Sequence, residues 1–267
     1  MNKKLPAVLL SALALGLVSA RAQTPAPAPA PAAVAPSSSW VFTPSVVSQY
    51  MFRGARLGGA SFQPSIEYDE GNLAVGVWAN QPMANKVIGQ SDPEIDPYGS
   101  YKFVVNDSLN VQPGFTWYNY PNANTSNGFY KSTFEPNLAI NYTASGVTLT
   151  PKIYYDMVLK GPTLELTAAY AIPLKDLGTE LDLTAVGGTF KWTAAAPDQG
   201  VAVKNYGNYW QAGFALPFQV TKDSKFTVGW AYTKGSDNFI KYGSLPKGPN
   251  PAALGRGVAT VSYAITF

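Results

Sequence analysis

From Trp40 to the C-terminus, apolar and polar residues alternate with a period of two, the period of a strand with one buried face. The last stretch is the clearest. Ala259, Val261, Tyr263, Ile265 and Phe267 are apolar, and Thr260, Ser262, Ala264 and Thr266 between them are small or polar. Phe62, Pro64, Ile66 and Tyr68 alternate in the same way with Gln63, Ser65, Glu67 and Asp69. Val147, Leu149, Ile153, Tyr155 and Met157 alternate with Thr148, Thr150, Lys152 and Asp156. The pattern predicts twelve strands, near 40–53, 62–70, 72–80, 94–105, 108–120, 131–143, 146–157, 162–173, 179–192, 205–220, 224–234 and 256–267. Tight-turn sequences such as Asp69-Glu70-Gly71-Asn72, Ala144-Ser145-Gly146 and Lys222-Asp223-Ser224 join strands 2–3, 6–7 and 10–11. The connections 81–93, 121–130, 193–204 and 235–255 are longer.

Short and long connections therefore alternate, which is the phase of an up-and-down barrel with both termini on one side. Strands of this length cross a bilayer at a tilt, and closure removes the free sheet edges. The expected fold is all-β: an up-and-down antiparallel transmembrane β-barrel of about twelve strands over residues 40–267. An aromatic-rich soluble sandwich or periplasmic barrel that binds an apolar ligand is the competing reading of the same alternation. Pro44, Pro64, Pro97, Pro113, Pro136 and Pro151 fall inside predicted strands. Lacking an N–H, they are expected at strand ends, at bulges or opposite widely spaced ladder pairs.

The N-terminus reads as an address. Lys3 and Lys4 precede a mostly apolar stretch from Leu5 to Leu17, and Ala20-Arg21-Ala22 fits the small-x-small cleavage rule. Residues 1–22 are expected to be a secretory signal peptide, with a retained anchor as the alternative. Residues 23–39 are rich in Pro and Ala and read as a disordered leader of polyproline II character, either a bare spacer or a periplasmic stalk.

Composition narrows the chemistry. The chain has no Cys and no His, which excludes disulfides, thiol nucleophiles and serine–histidine triads. Charged residues make up 13% and aromatic residues 13%. An ordinary soluble domain is about one quarter charged. Of 19 basic and 16 acidic residues, Lys3, Lys4 and Arg21 lie in the signal, so the mature chain carries sixteen of each sign and no basic excess for nucleic acid. No G-x-S-x-G, P-loop or G-x-G-x-x-G stretch is present, no cofactor is implied, and an enzyme is not expected. Asp92-Pro93-Glu94-Ile95-Asp96 offers carboxylates for calcium but lacks the EF-hand glycine and spacing, so a solvated outer loop is the expectation. Carboxylates that share a strand face, such as Glu67 and Asp69, read as pore lining before glycosidase chemistry.

Twelve strands give a backbone radius of about 12 Å and leave a narrow passage. Parity turns Arg53, Glu67, Asp69, Asp96, Lys102, Glu135, Lys152, Asp156, Glu165 and Asp182 inward, seven of them acidic. These are the expected lumen-lining residues. Either they line a mildly cation-favouring channel for small solutes or ions, or they pair with one another and close a structural plug.

Tyr263, Ile265 and the terminal Phe267 resemble the C-terminal signal by which bacterial outer-membrane barrels meet the barrel-assembly machinery. Val47-Ser48-Gln49-Tyr50-Met51-Phe52-Arg53-Gly54, followed by Gln63-Pro64 and Tyr68, resembles the first strand of the TorF-type family, conserved exported proteins of unknown function described as outer-membrane porins. The match lies at Tyr50, Phe52, Arg53, Gly54, Gln63 and Pro64, over about 25 residues. Members often carry an acid where Gln49 stands, so Arg53 is expected to find its partner in Glu67 or another lumen acid. The resemblance implies a barrel in the cell outer membrane, with outer-membrane lipid as its surround. A non-conducting structural or adhesive barrel acting through its outer loops is the alternative function, and neither the solute nor the oligomeric state can be read from the chain.

Overall fold

The computed structural model describes residues 38–84, 92–123, 130–192, 205–236 and 253–267. Residues 1–22, expected to be a signal peptide, residues 23–37 of the expected leader and most of the long connections lie outside them. Strand segments follow in chain order as β1 (Ser38–Thr43), β2 (Ser45–Val47), β3 (Tyr50–Phe52), β4 (Ala55–Gly58), β5 (Ser61–Phe62), β6 (Ser65–Glu70), β7 (Leu73–Pro82), β8 (Glu94–Tyr101) and β9 (Phe103–Asn106). They continue as β10 (Leu109–Asn119), β11 (Ser132–Ala144), β12 (Val147–Asp156), β13 (Gly161–Leu174), β14 (Thr179–Trp192), β15 (Asn205–Thr221), β16 (Ser224–Gly235) and β17 (Arg256–Thr266).

All but β3 and β4 form one antiparallel wall. β1 and β2 are halves of its first stave, broken at Pro44. β5 and β6 are halves of the second, broken at Pro64, and β8 and β9 make the fourth, broken at Lys102. The wall thus has twelve staves, each paired with its chain neighbours. It closes where β17 meets the first stave, with Val41 opposite Thr266 and Val46 opposite Val261. The barrel forms for the reason the alternation suggests. Ile66, Val75, Val77, Leu138, Leu149, Leu164, Leu166, Phe214 and Val261 stand exposed on its outside, while their neighbours Glu67, Trp78, Ala139 and Thr167 are buried inside.

The in-strand prolines share one arrangement. Pro97, Pro113, Pro136 and Pro151 each keep a register partner on one side, respectively Val77, Leu138, Phe115 and Leu166. On the other side of each, the regular pairing lapses at that position. A residue with no N–H has nothing to donate there, so the gap falls where its absence costs least.

One boundary differs from expectation. The first strand ends at Val47, not near residue 53. β3 and β4 form a separate two-stranded hairpin, with Tyr50 opposite Gly58 and Phe52 opposite Ala55. Its turn is Arg53-Gly54, with φ of 47° and 77°. Two successive positive φ values are those of a type I′ turn, whose twist suits a tight hairpin. Ser145-Gly146, with φ of 51° and 82°, makes the same turn between β11 and β12. Tyr50, Met51 and Ala55 are almost fully buried, so this hairpin is folded into the barrel.

Candidate functional site: the bore and its inserted hairpin

The hairpin meets the wall on every side. Tyr50 packs with Trp78 and Tyr98 of β7 and β8, and its hydroxyl donates to Glu94 Oε2 at 2.7 Å. Met51 packs with Val47, Ala231 and Val258 beside the closing seam. Ala55 sits among Leu159, Phe190, Trp192 and Tyr209. At the tip, Gly54 lies on the backbone of Gly235, and a Cβ on Gly54 would come within 2.4 Å of the Gly235 nitrogen. Backbone packs on backbone here, which only glycine allows at a positive φ.

Arg53 reaches the far wall. Its Nη1 and Nη2 donate to Glu135 Oε2 and Oε1 at 2.9 and 2.7 Å, with the two side chains 6% and 1% exposed. The Tyr118 hydroxyl donates to the same Oε1 at 3.1 Å. The guanidinium carbon lies 4.6 Å from the centroids of both the Phe52 and the Tyr154 ring. A two-point charged hydrogen bond flanked by aromatic faces is the strongest kind of polar contact a side chain of this sort makes.

Glu67, Asp69, Asp96, Glu135, Lys152, Asp156, Glu165 and Asp182 all sit on the inner parity of their strands; all but Asp69, which Glu70 follows at the strand end, have outward apolar or aromatic neighbours on either side. Lys102 lies at the break between β8 and β9, near Asp69. The residues do not form one cluster. Arg53, Glu135, Lys152 and Glu165 lie together: Lys152 faces Glu165 across β12 and β13, and its Nζ is 4.7 Å from the Tyr154 ring. Glu67 and Asp69 lie apart from them, under Tyr98. Asp156 has a local role: its Oδ1 accepts from Thr133 Oγ1 and from the backbone of Val158 and Leu159, tying the turn that follows β12.

Three features escaped the sequence reading. Glu94 is not in a solvated outer loop; it opens β8 and is 1% exposed, beside Asp96. Its partner Tyr50 lies forty-four positions away, a separation that no local pattern reveals. The second feature is a row of Glu, Gly and Tyr across three strands. Glu165, Gly188 and Tyr209 stand opposite one another on β13, β14 and β15. Tyr209 lies over Gly188 and donates to Glu165 Oε2 at 2.7 Å. Glu67, Gly76 and Tyr98 repeat the row on β6, β7 and β8. The third is the hairpin itself, although Arg53-Gly54 between two short alternating runs was its visible signal. Above the bore, burial and then the Glu94 carboxylate push the Tyr120 phenol well above its ordinary range, so it stays a neutral donor.

A closed twelve-stranded barrel with an apolar outside, a polar inside and a hairpin across its bore belongs to the porin class of folds. Solved structures agree. The KdgM porin superposes with a TM-score of 0.53 at 12% identity, covering 86% of this chain and 99% of its own. The KdgM porin in complex with disordered oligogalacturonate gives 0.52 at 11%, covering 86% and 99%. The NanC porin gives 0.51 at 9%, covering 85% and 98%. At these identities the likeness is one of fold. Among curated proteins no sequence matches. Residues 33–237 match the family described as bacterial protein of unknown function (Gcw_chp), and the chain belongs to that family. The TorF-type name does not come with this match; it rests on the resemblance at Tyr50–Gly54 and Gln63-Pro64.

Proposed function

We propose that the protein is a passive channel of the outer membrane with a narrow bore, passing small solutes or ions and mildly favouring cations. The observation that carries this reading is the inserted hairpin: it leaves the barrel wall intact but narrows a polar interior, where the ten charges that parity turns inward, seven of them acidic, are joined by Glu94, Glu180, Arg56, Lys225 and Arg256. The porin fold of its structural neighbours, one of them named in complex with oligogalacturonate, supports a channel over an enzyme. In this reading residues 1–22 direct export, and Tyr263, Ile265 and Phe267 present the barrel to the assembly machinery. The outer-face apolar band meets lipid.

Planar-bilayer recording of the refolded mature chain, with a salt gradient, tests the reading. Discrete steps with a reversal potential of cationic sign are expected, and Glu67→Gln with Asp69→Asn should move that potential toward zero. A folded barrel without steps overturns it. The hairpin's contacts around the whole circumference favour a second reading, a plugged barrel that works through its outer loops.

A further inference from the structure

We propose that Glu135, Tyr118 and Tyr154 form a binding site on the bore wall for guanidinium-bearing solutes, which Arg53 fills in this conformation as an internal stand-in. The inference deepens the channel reading and takes its physiological sense from it, but the site itself stands on its own geometry.

Every group that holds the guanidinium, apart from Phe52, belongs to the wall. Tyr118, Glu135 and Tyr154 come from the adjacent strands β10, β11 and β12. Glu135 offers both carboxylate oxygens to one planar fork, at 2.9 and 2.7 Å. Tyr118 steadies Oε1 from the side. Tyr154 presents its face at 4.6 Å from the guanidinium carbon. A carboxylate fork beside an aromatic face suits a planar, delocalised cation better than a compact ammonium.

Tyr154 and Glu135 are also held by the wall itself, while Tyr118 packs edge-on against Phe52 of the hairpin at 5.9 Å. The Tyr154 hydroxyl donates to Glu165 Oε1 at 3.0 Å, and Tyr209 holds the other oxygen of Glu165. Glu135 sits in the ladder opposite Thr116, flanked by the pairs Phe134–Trp117 and Pro136–Phe115. Lys152 faces Glu165 across its own pair of strands, whereas Glu135 pairs with Arg53. Withdrawing Arg53 therefore leaves a cleft in which Glu135 keeps Lys152 nearby as a counter-charge but has lost its two-point partner, and a planar cation restores that fork where an ammonium cannot. Because Arg53 is tethered, its effective concentration is of millimolar order, so free solute competes weakly while it is in place.

The test uses the full mature chain refolded in detergent, with heat-dependent gel migration as the check of fold. Methylguanidinium is titrated by calorimetry into wild type, Arg53→Ala, and Arg53→Ala with Glu135→Gln. Arg53→Ala should bind it at least about tenfold more tightly than either of the others, since a charged two-point hydrogen bond is lost in each comparison. Methylammonium, which has no fork, should bind Arg53→Ala more weakly. Arg53→Lys, which keeps a charged tip, should be displaced by less methylguanidinium than wild type. A folded Arg53→Ala that binds no more than wild type, or binding indifferent to Glu135→Gln, overturns the site. The same variants in bilayers separate the two readings. Calorimetric binding without current in any variant keeps the site and removes the channel; current without binding does the reverse.

Discussion

A Cβ at Gly188 would come within 2.1 Å of the Tyr209 ring, and one at Gly76 within 2.7 Å of Tyr98 Cζ. At both positions the missing side chain lets a tyrosine lie flat across a strand and reach a glutamate on the next. Gly188→Val should push Tyr209 off Glu165 and cost about 1–3 kcal/mol, the usual scale of an overpacked interior. Urea titration followed by gel migration reads that loss, and an unchanged midpoint would mean that the wall yields around the new side chain. The inward side of each charged residue was legible, because strand parity assigns faces with no other information. Its partner was not. Tyr209 and Glu165 are forty-four positions apart, and only the stagger of three strands brings them into one row.

Among elements, the β3–β4 hairpin departs most from the alternating rhythm. Tyr50, Met51 and Phe52 prolong the apolar character of Val46 and Val47, so the first strand reads as unbroken to about residue 53. The reversal shows only in Arg53-Gly54, a pair that also suits a strand end. Burial decides between the two, and burial depends on walls contributed by later strands. Replacing residues 50–58 with a short Gly-Ser link should leave a heat-resistant barrel and raise single-channel conductance severalfold. Gly235→Val should do the same with one substitution, since it removes the surface on which Gly54 rests. Conductance unchanged in both would show that the narrowest part of the bore lies elsewhere.

At the scale of the whole molecule the sequence was most informative. Period-two alternation, turn signals and the order of short and long connections together specify a closed antiparallel wall, and ten-residue strands set its height. On the outer face, Leu166→Arg should cost about 2–4 kcal/mol near the bilayer midplane, read as a lower urea midpoint in lipid vesicles. A cost near zero would place that face in water and revive the soluble alternative. The hairpin has a consequence of a different kind, one of order in time. It lies near the beginning of the chain, yet Glu135, Tyr154, Trp192 and Gly235, against which it settles, are spread over the sixth to eleventh staves. Contacts so distant in sequence form late. The segment made among the first therefore waits for walls made much later, and so does the closing seam, whose partners Val41 and Thr266 lie farther apart still.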